Sequence, residues 1–215
     1  QNDGYPDLFV ANDFGQDRLY ANLAGKKLRE VGEQIGVFDR GAGMNASVVD
    51  INEDGYWDLY VTMIDMFNKN VSFVLPKHDS KIPLTDRLLS TTSYLSGNKL
   101  LVNDKGSAFH AAENTYIEPG QMGWCWGASF FDYENDGDQD LYVANGFRKS
   151  SLATNQPNQF LLNEKGRLFY TPDGHAATYR GNSRAAVAVD LRNSGKLDLV
   201  VTNFKSPPTI LMNKV

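Results

Sequence analysis

Residues 128–142 read ASFFDYENDGDQDLY, and the same pattern occurs twice more in the chain. Residues 46–60 read ASVVDINEDGYWDLY, and residues 186–200 read AVAVDLRNSGKLDLV. Each copy is a short run of β-forming residues, then a loop rich in Asp, Asn and Gly, then a second β-forming run that starts with Asp-Leu. A shorter copy, QNDGYPDLFV, opens the chain at residues 1–10. The chain is therefore built from internal repeats.

Two further β-type stretches follow each of the first three loops. An apolar stretch that ends in Asn recurs as RLYAN, KLLVN, QFLLN and TILMN, at 18–22, 99–103, 159–163 and 209–213. After the first three of these, a Gly lies three residues beyond the Asn and another short β-type stretch follows, at Gly25, Gly106 and Gly166. Units of four short strands that repeat about every 50 residues are typical of β-propeller blades.

The repeat predicts an all-β fold, with residues 1–215 forming one segment of a β-propeller. We place its blades at 1–43, 44–122, 123–180 and 181–215, with an insertion at 65–96 in the second. The first blade lacks its opening strand and the last lacks its closing strand, which is the pattern of part of a larger ring. The open edges of such a segment need to be covered, because free strand edges pair with other chains.

Composition excludes several classes of protein. The 215 residues are 41% hydrophobic and 22% charged, which favours a folded core over disorder. The net charge is −5 and the basic residues are scattered, which argues against a nucleic-acid partner. No apolar run reaches the roughly 18 residues of a membrane span. The single cysteine, Cys125, excludes an internal disulfide.

The acidic loop of the second unit has the spacing of a calcium site. Oxygen-bearing side chains fall at loop positions 1, 3, 5 and 9, and Gly55 at position 6 allows a sharp bend. Calcium binds six to eight oxygen ligands, and alternate residues of a tight loop direct their oxygens inward. The predicted ligands are the side chains of Asp50, Asn52, Asp54 and Asp58 and the carbonyl of Tyr56.

The other loops match this spacing to different degrees. The third unit is complete, with the side chains of Asp132, Glu134, Asp136 and Asp140 and the carbonyl of Asp138. In the first unit position 1 lies before residue 1 of this sequence, and we expect weak binding through the side chains of Gln1, Asp3 and Asp7 and the carbonyl of Tyr5.

The fourth loop, Asp190–Asp198, departs from the pattern, because Arg192 and Ser194 stand at two of the ligand positions. A guanidinium could bridge Asp190 and Asp198 and replace the charge of an ion. We therefore expect no metal in this loop.

The acidic loops have two alternative interpretations besides this type of calcium site. An EF-hand needs a Glu at position 12 and helices on both sides, but position 12 is Val61, Val143 or Val201, each within a β-type run. The loops could also be ordinary solvated turns that bind nothing. The in-register repetition favours calcium over plain turns, and the choice between them stays open at this point.

These motifs resemble the FG-GAP/VCBS repeat family, whose propeller repeats are also found in integrin α chains. The closer resemblance is to the cartilage acidic protein type, in which a propeller precedes an ASPIC/UnbV domain. It is carried by VANDFGQDRLYAN, GWCWGASFFDYENDGDQDLYVANGF and LDLVVTNFKSPPTILMN, at 10–22, 123–147 and 197–213. The resemblance implies a seven-bladed ring with calcium loops at the blade hairpins, in a secreted or surface-exposed protein.

The resulting hypothesis is a non-catalytic, calcium-stabilised scaffold for adhesion or for binding a protein or glycan. It would be secreted, extracellular or at the cell surface, with the periplasm also open. One alternative is a propeller enzyme, a lyase or hydrolase, although only Arg180 and Arg184 lie near an inner strand end. Another is self-assembly through the open sheet edges. No residue is predicted to be catalytic.

Overall fold

The fold comes from a computed structural model that describes residues 3–37, 40–64, 97–117, 123–149, 152–154, 156–172 and 174–215. Over these ranges the regular secondary structure is almost all β-strand, which confirms the predicted all-β class. Three one-turn helices interrupt the strands here, at Gly32–Ile35, Glu113–Tyr116 and Ala176–Thr178. The predicted insertion at 65–96 and the predicted ligand Gln1 lie outside the described residues.

The strands are short, and most of them follow one another as antiparallel neighbours. In chain order they are β1 (Leu8–Val10), β2 (Asp13–Gln16), β3 (Arg18–Asn22), β4 (Leu28–Glu30), β5 (Arg40–Val49), β6 (Asp58–Met63), β7 (Lys99–Asn103), β8 (Phe109–Ala111), β9 (Cys125–Phe131), β10 (Asp140–Asn145), β11 (Phe147–Lys149), β12 (Leu152–Thr154), β13 (Gln159–Asn163), β14 (Leu168–Tyr170), β15 (Ser183–Val189), β16 (Asp198–Asn203) and β17 (Ser206–Leu211).

These strands form four successive sheets and one hairpin. The first sheet has the order β1-β3-β4 and the last has the order β15-β16-β17. Between them, β5 to β8 form a four-stranded meander with β2 added at its edge, and β9, β10, β13 and β14 form a second meander. The hairpin β11-β12 leaves this second meander between its second and third strands. The predicted blade boundaries at 43, 122 and 180 remain predictions.

The first strands of neighbouring sheets lie side by side, which makes the architecture propeller-like. Strand β9 packs against β5 on one side and against β15 on the other. The hydroxyl of Ser47 in β5 donates a hydrogen bond to the carbonyl of Ala128 in β9, over 2.9 Å. The sheets therefore face one another, rather than extending one another edge to edge.

The core consists of apolar layers between these sheets. One layer joins the second and third sheets and includes Val49, Leu100 and Leu161. The next joins the third and fourth sheets and includes Phe131 and Val201. Every residue of β6 and β10 is buried, because these two strands have a neighbouring sheet on each side. That double burial explains the continuous apolar runs of these strands in the sequence.

The second, third and fourth acidic loops each join the first strand of a sheet to the second. The side-chain amide of Asn135, in the third loop, donates to the carbonyl of Gly195, in the fourth loop, over 3.3 Å. These two loops therefore lie next to each other at one edge of the molecule. In the described part of the chain, the helices are too short to cross a membrane.

Gly127 allows the close approach of β9 and β15, and this gives a first prediction. A β-carbon at this position would lie 2.9 Å from the carbonyl oxygen of Arg184 and 3.3 Å from the α-carbon of Ala185. We expect Gly127→Ala to lower the free energy of unfolding by about 1–3 kcal/mol, because the clash is with main chain. Chemical denaturation followed by circular dichroism measures the change.

The control is Ser129→Ala, on the same strand. It adds no atom toward β15 and should change stability by less than about 0.5 kcal/mol. Equal stabilities for the two variants would contradict the close packing of the first strands.

Candidate metal centre

The described loops share one backbone shape. In the second, third and fourth loops, position 4 adopts a positive φ, at Glu53, Asn135 and Asn193. Position 6 is a glycine with a φ of 85°, 103° and 78°, at Gly55, Gly137 and Gly195. Glycine adopts this conformation without a steric cost. The shared shape places side chains 1, 3, 5 and 9 in equivalent places, as the sequence pattern predicts.

The first aspartate of each loop orders the loop itself. Asp50 accepts hydrogen bonds from the main-chain N–H groups of Asp54, at 3.0 Å, and Gly55, at 2.8 Å. Asp132 makes the same two contacts in the third loop, and Asp190 makes them in the fourth. Because the departing fourth loop keeps this pattern, the local turn does not require an ion.

The remaining predicted ligands of the second loop face the same interior. The N–H of Asp54 lies 3.0 Å from Oδ1 of Asp50 and 3.3 Å from Oδ1 of Asn52, so these two oxygens converge. The N–H of Tyr56 donates to Oδ1 of Asp54 over 3.0 Å. The third loop repeats the last contact, where the N–H of Asp138 donates to Asp136 over 3.3 Å.

The ninth residue of the loop takes part in a contact that also involves the third strand. Asp58 is fully buried and accepts hydrogen bonds from the N–H of Ile51, at 2.9 Å, and of Asn103, at 2.7 Å. The amide of Asn103 donates to the carbonyl of Trp57, and its oxygen accepts from the N–H of Gly106. We call this contact the Asp–Asn clamp.

The clamp occurs in all four units. The N–H of the Asn that ends the third strand donates over 2.7–2.8 Å to the aspartate that closes the loop, in the pairs Asp7–Asn22, Asp58–Asn103, Asp140–Asn163 and Asp198–Asn213. In the first three units the Asn oxygen also accepts from the glycine three residues later. The sequence shows the recurring Asn and Gly, but not that the Asn binds the loop aspartate.

Several carboxylates lie close together in the third loop. No basic side chain is among the groups that shift the pKa values of Asp138 and Asp140. The pKa of Asp140 is raised to about 7, mainly by burial and also by the nearby charge and hydrogen bond of Glu134, against two lowering main-chain bonds. Burial also raises the pKa of Asp138 to about 6, together with the charges of Asp136 and Asp140. One oxygen of Asp138 is buried and makes no hydrogen bond.

The second loop has the same character in a milder form. Burial is the main cause that raises the pKa of Asp58, and the charges of Asp50 and Asp54 add to it. The main-chain bonds from Asn103 and Ile51 act in the opposite direction. Both complete loops thus hold converging negative charge that a cation would neutralise.

The fourth loop carries its own positive charge. Nη2 of Arg192 lies 2.8 Å from Oδ1 of Asp198 and donates to the carbonyl of Asn213 over 2.6 Å. The hydrogen bond from Arg192 is the main cause that holds the pKa of Asp198 below its usual value. The sequence suggested a guanidinium bridge between Asp190 and Asp198. Instead Arg192 joins Asp198 to Asn213, and Asp190 binds main-chain N–H groups.

The first loop is described only in part. The N–H of Tyr5 donates to Oδ1 of Asp3 over 3.0 Å, and Asp7 accepts from Asn22 over 2.8 Å. Gln1 lies outside the described residues.

The donors suit calcium in type but do not form a closed cage. Across the described ranges, no three His, Cys, Asp or Glu side chains are grouped tightly enough to hold a metal ion. The predicted donors of the two complete loops are carboxylate, amide and carbonyl oxygens, which are the ligands that calcium prefers. These residues therefore fit calcium by their chemistry, and Arg192 shows that the fourth unit places a cation at the clamp.

Arg184, which the enzyme alternative invoked, is engaged in structural contacts. Its guanidinium lies 4.3 Å from the ring centre of Trp126 and 5.0 Å from that of Phe204. It also donates to the carbonyls of Gly146 and Asn182. Arg180, the other arginine named there, is exposed.

One comparison with known proteins gives a match. A family model described as FG-GAP-like repeat matches residues 1–61, which include the first sheet, strand β5 and the complete loop at 50–58. A search of curated proteins found no match to the chain. This part of the chain is thus similar to an FG-GAP-like repeat, in agreement with the resemblance seen in the sequence.

The clamp gives a second prediction, which does not depend on metal. Asn103→Ala removes the partner of the Trp57 carbonyl and of the Gly106 N–H, so we expect a loss of about 1–3 kcal/mol in the free energy of unfolding. Urea denaturation in excess EGTA measures this loss. The control, Asn114→Ala at an exposed position, should change stability by less than about 0.5 kcal/mol. If Asn103→Ala matched the control, the side-chain hydrogen bonds of Asn103 would contribute nothing to stability.

Proposed function

We propose that this chain is a calcium-stabilised, non-catalytic propeller scaffold that acts outside the cell and binds a protein or glycan partner. The observation that carries the proposal is the contrast between the loops. Where the loop has a full set of oxygen donors, the buried closing aspartate has acidic neighbours; where two donors are replaced, Arg192 supplies a positive charge. The simplest reason for this contrast is that the closing aspartate of each clamp needs a nearby positive charge.

Calcium would be held by the predicted ligands of the two complete loops. These are Asp50, Asn52, Asp54, Asp58 and the Tyr56 carbonyl in one loop, and Asp132, Glu134, Asp136, Asp140 and the Asp138 carbonyl in the other. When bound, calcium supplies charge neutralisation and links the two strands of the hairpin. The chain's own part is to order the loop through its first aspartate and to fix the last one through the clamp.

The family comparison supports the setting. Residues 1–61 are similar to an FG-GAP-like repeat, and such repeats typically belong to extracellular binding propellers. The resemblance to the cartilage acidic protein type, and with it a seven-bladed ring, is part of this proposal. Calcium modules outside cells work at about 10⁻⁴–10⁻³ M, where modest affinity suffices. The net charge of −5 argues for a protein or glycan partner over a nucleic acid.

Thermal unfolding tests the proposal directly. Because an ion that binds only the folded state stabilises it, millimolar CaCl₂ should raise the midpoint above its value in EGTA, by roughly 3–6 °C for each site when calcium stands at ten times its Kd. MgCl₂ at the same concentration should give a much smaller shift, since magnesium keeps most of its water. Identical melts in calcium and EGTA would refute calcium binding.

A matched pair of variants locates the effect. Asp50→Asn and Asp190→Asn each replace a carboxylate that accepts the same two main-chain hydrogen bonds. Both variants should therefore lose similar stability in EGTA. Only Asp50→Asn should also reduce the calcium-dependent rise in the melting midpoint, by the contribution of one site. If both variants reduced the calcium-dependent rise in the midpoint equally, calcium would not bind the second loop in preference to the fourth. The argument that Arg192 replaces the ion would then be wrong.

Restoring the pattern in the fourth loop gives a further prediction. The double substitution Arg192→Asn with Ser194→Asp returns oxygen donors to positions 3 and 5. In EGTA the variant should be less stable than the natural chain, because Asp198 loses its ion pair. Calcium should then raise its melting midpoint by more than in the natural chain, which calorimetry can measure. A calcium response that stayed unchanged would mean that the loop pattern does not create a site.

A further inference from the structure

The seventh residue of the acidic loop differs in charge from unit to unit. It is Asp138 in the third loop, Tyr56 in the second and Lys196 in the fourth. The third residue of the loop, a predicted ligand, changes in the same direction, from Glu134 through a neutral amide to Arg192. The charge at position 7 therefore follows the charge at a predicted ligand position.

The side chain at position 7 lies next to the turn that follows the third strand. In the second loop, a ring carbon of Tyr56 lies 3.9 Å from the place that a β-carbon on Gly106 would occupy. In the third loop, a hydrogen bond from the main-chain N–H of Lys165 lowers the pKa of Asp138. Lys165 precedes Gly166, which is the counterpart of Gly106 and belongs to the clamp. Asp138 therefore lies between the loop and the clamp of its unit.

The chain itself does not satisfy the carboxylate of Asp138. Its Oδ1 is buried and accepts no hydrogen bond. Burial raises the pKa of Asp138 most, and the charges of Asp136, Asp140 and Asp132 raise it further. Asp138 thus adds its negative charge to those of three predicted ligands. A buried charge without a partner is costly, so this arrangement favours a cation nearby.

We propose that the side chain of Asp138 belongs to the calcium site of the third loop and makes that site tighter than the site of the second loop. The inference rests on the calcium binding proposed above, and it adds a side chain that the loop pattern leaves out. At positions 1, 3, 5, 7 and 9, the third loop carries five carboxylates and the second carries three. Because calcium affinity depends on the charge of the ligand set, the third loop binds calcium first.

The charge of Asp138 acts in opposite directions with and without the ion. In EGTA it is repelled by the neighbouring carboxylates, so its removal should stabilise the fold. In calcium the same charge attracts the ion, so its removal should weaken binding. A residue whose role is only to contact the turn at Lys165 would not show this change of sign.

Asp138→Asn tests the inference, because it removes the charge and keeps the size of the side chain. Calorimetric calcium titrations use the Asp50→Asn background, in which the third loop remains complete. Asp138→Asn should raise the Kd at least about tenfold, which corresponds to about 1.4 kcal/mol. Its melting midpoint in EGTA should lie above that of the background. The matched control is Glu164→Gln, which removes an exposed charge near the same turn and should change the Kd by less than about threefold.

The converse change in the second loop should improve binding, which a misfolded variant cannot do. Tyr56→Asp places a carboxylate at position 7, and Tyr56→Asn is its neutral control. The Asp132→Asn background leaves the second loop complete. In that background, Tyr56→Asp should bind calcium at least about threefold more tightly than Tyr56→Asn, because the added charge attracts the ion.

The other outcomes separate this inference from the proposed function. A Kd for Asp138→Asn that matches the Glu164→Gln control would overturn the inference and leave calcium binding in place. A lower midpoint in EGTA with an unchanged Kd would make Asp138 a structural contact only. Tighter binding by the Asp132→Asn background than by the Asp50→Asn background would contradict the order of the two sites. A natural chain that neither releases heat with calcium nor melts higher in it would overturn both the inference and the proposed function.

Discussion

In the second, third and fourth units, an aspartate at the start of the second strand is held where three strands meet. Asp58, Asp140 and Asp198 are fully buried, and an unpaired buried charge costs several kcal/mol. Each is satisfied by two main-chain N–H groups, one from the residue that follows the loop's first aspartate and one from the Asn that ends the third strand. Because a bond to a charged group contributes about 1.5–3 kcal/mol, this carboxylate fixes the relative position of all three strands.

The two hydrogen bonds satisfy the carboxylate's geometry but do not neutralise its charge. In the fourth unit Arg192 provides the neutralising charge, and the pKa of Asp198 falls accordingly. In the third unit the surrounding groups are acidic, and the pKa of Asp140 rises to about 7. The same clamp thus stands in two opposite electrostatic settings within one chain. A structural cation in the acidic units would neutralise their closing aspartates, as Arg192 does in the fourth unit. This is the physical basis of the calcium proposal.

The sequence predicted what depends on local pattern and missed what depends on side-chain partners. The repeat of ASVVD and DLY segments was sufficient for the all-β class, because alternating short runs and glycine turns have few other solutions. The acidic loops were also found in advance, since their spacing is local. The clamp was not, because Asn103 lies 45 residues from Asp58 and only the fold brings them together. The contact of Arg192 with Asn213, in place of Asp190, was missed for the same reason.

The clamp and the loop have separate roles. The fourth unit shows this separation directly: the Asn213 N–H donates to Asp198 over 2.8 Å although Arg192 and Ser194 stand at two of the predicted ligand positions. The contact between the second and third strands therefore does not depend on a full set of oxygen donors in the loop. Variation in loop charge, as at Arg192, can consequently occur without loss of the underlying sheet.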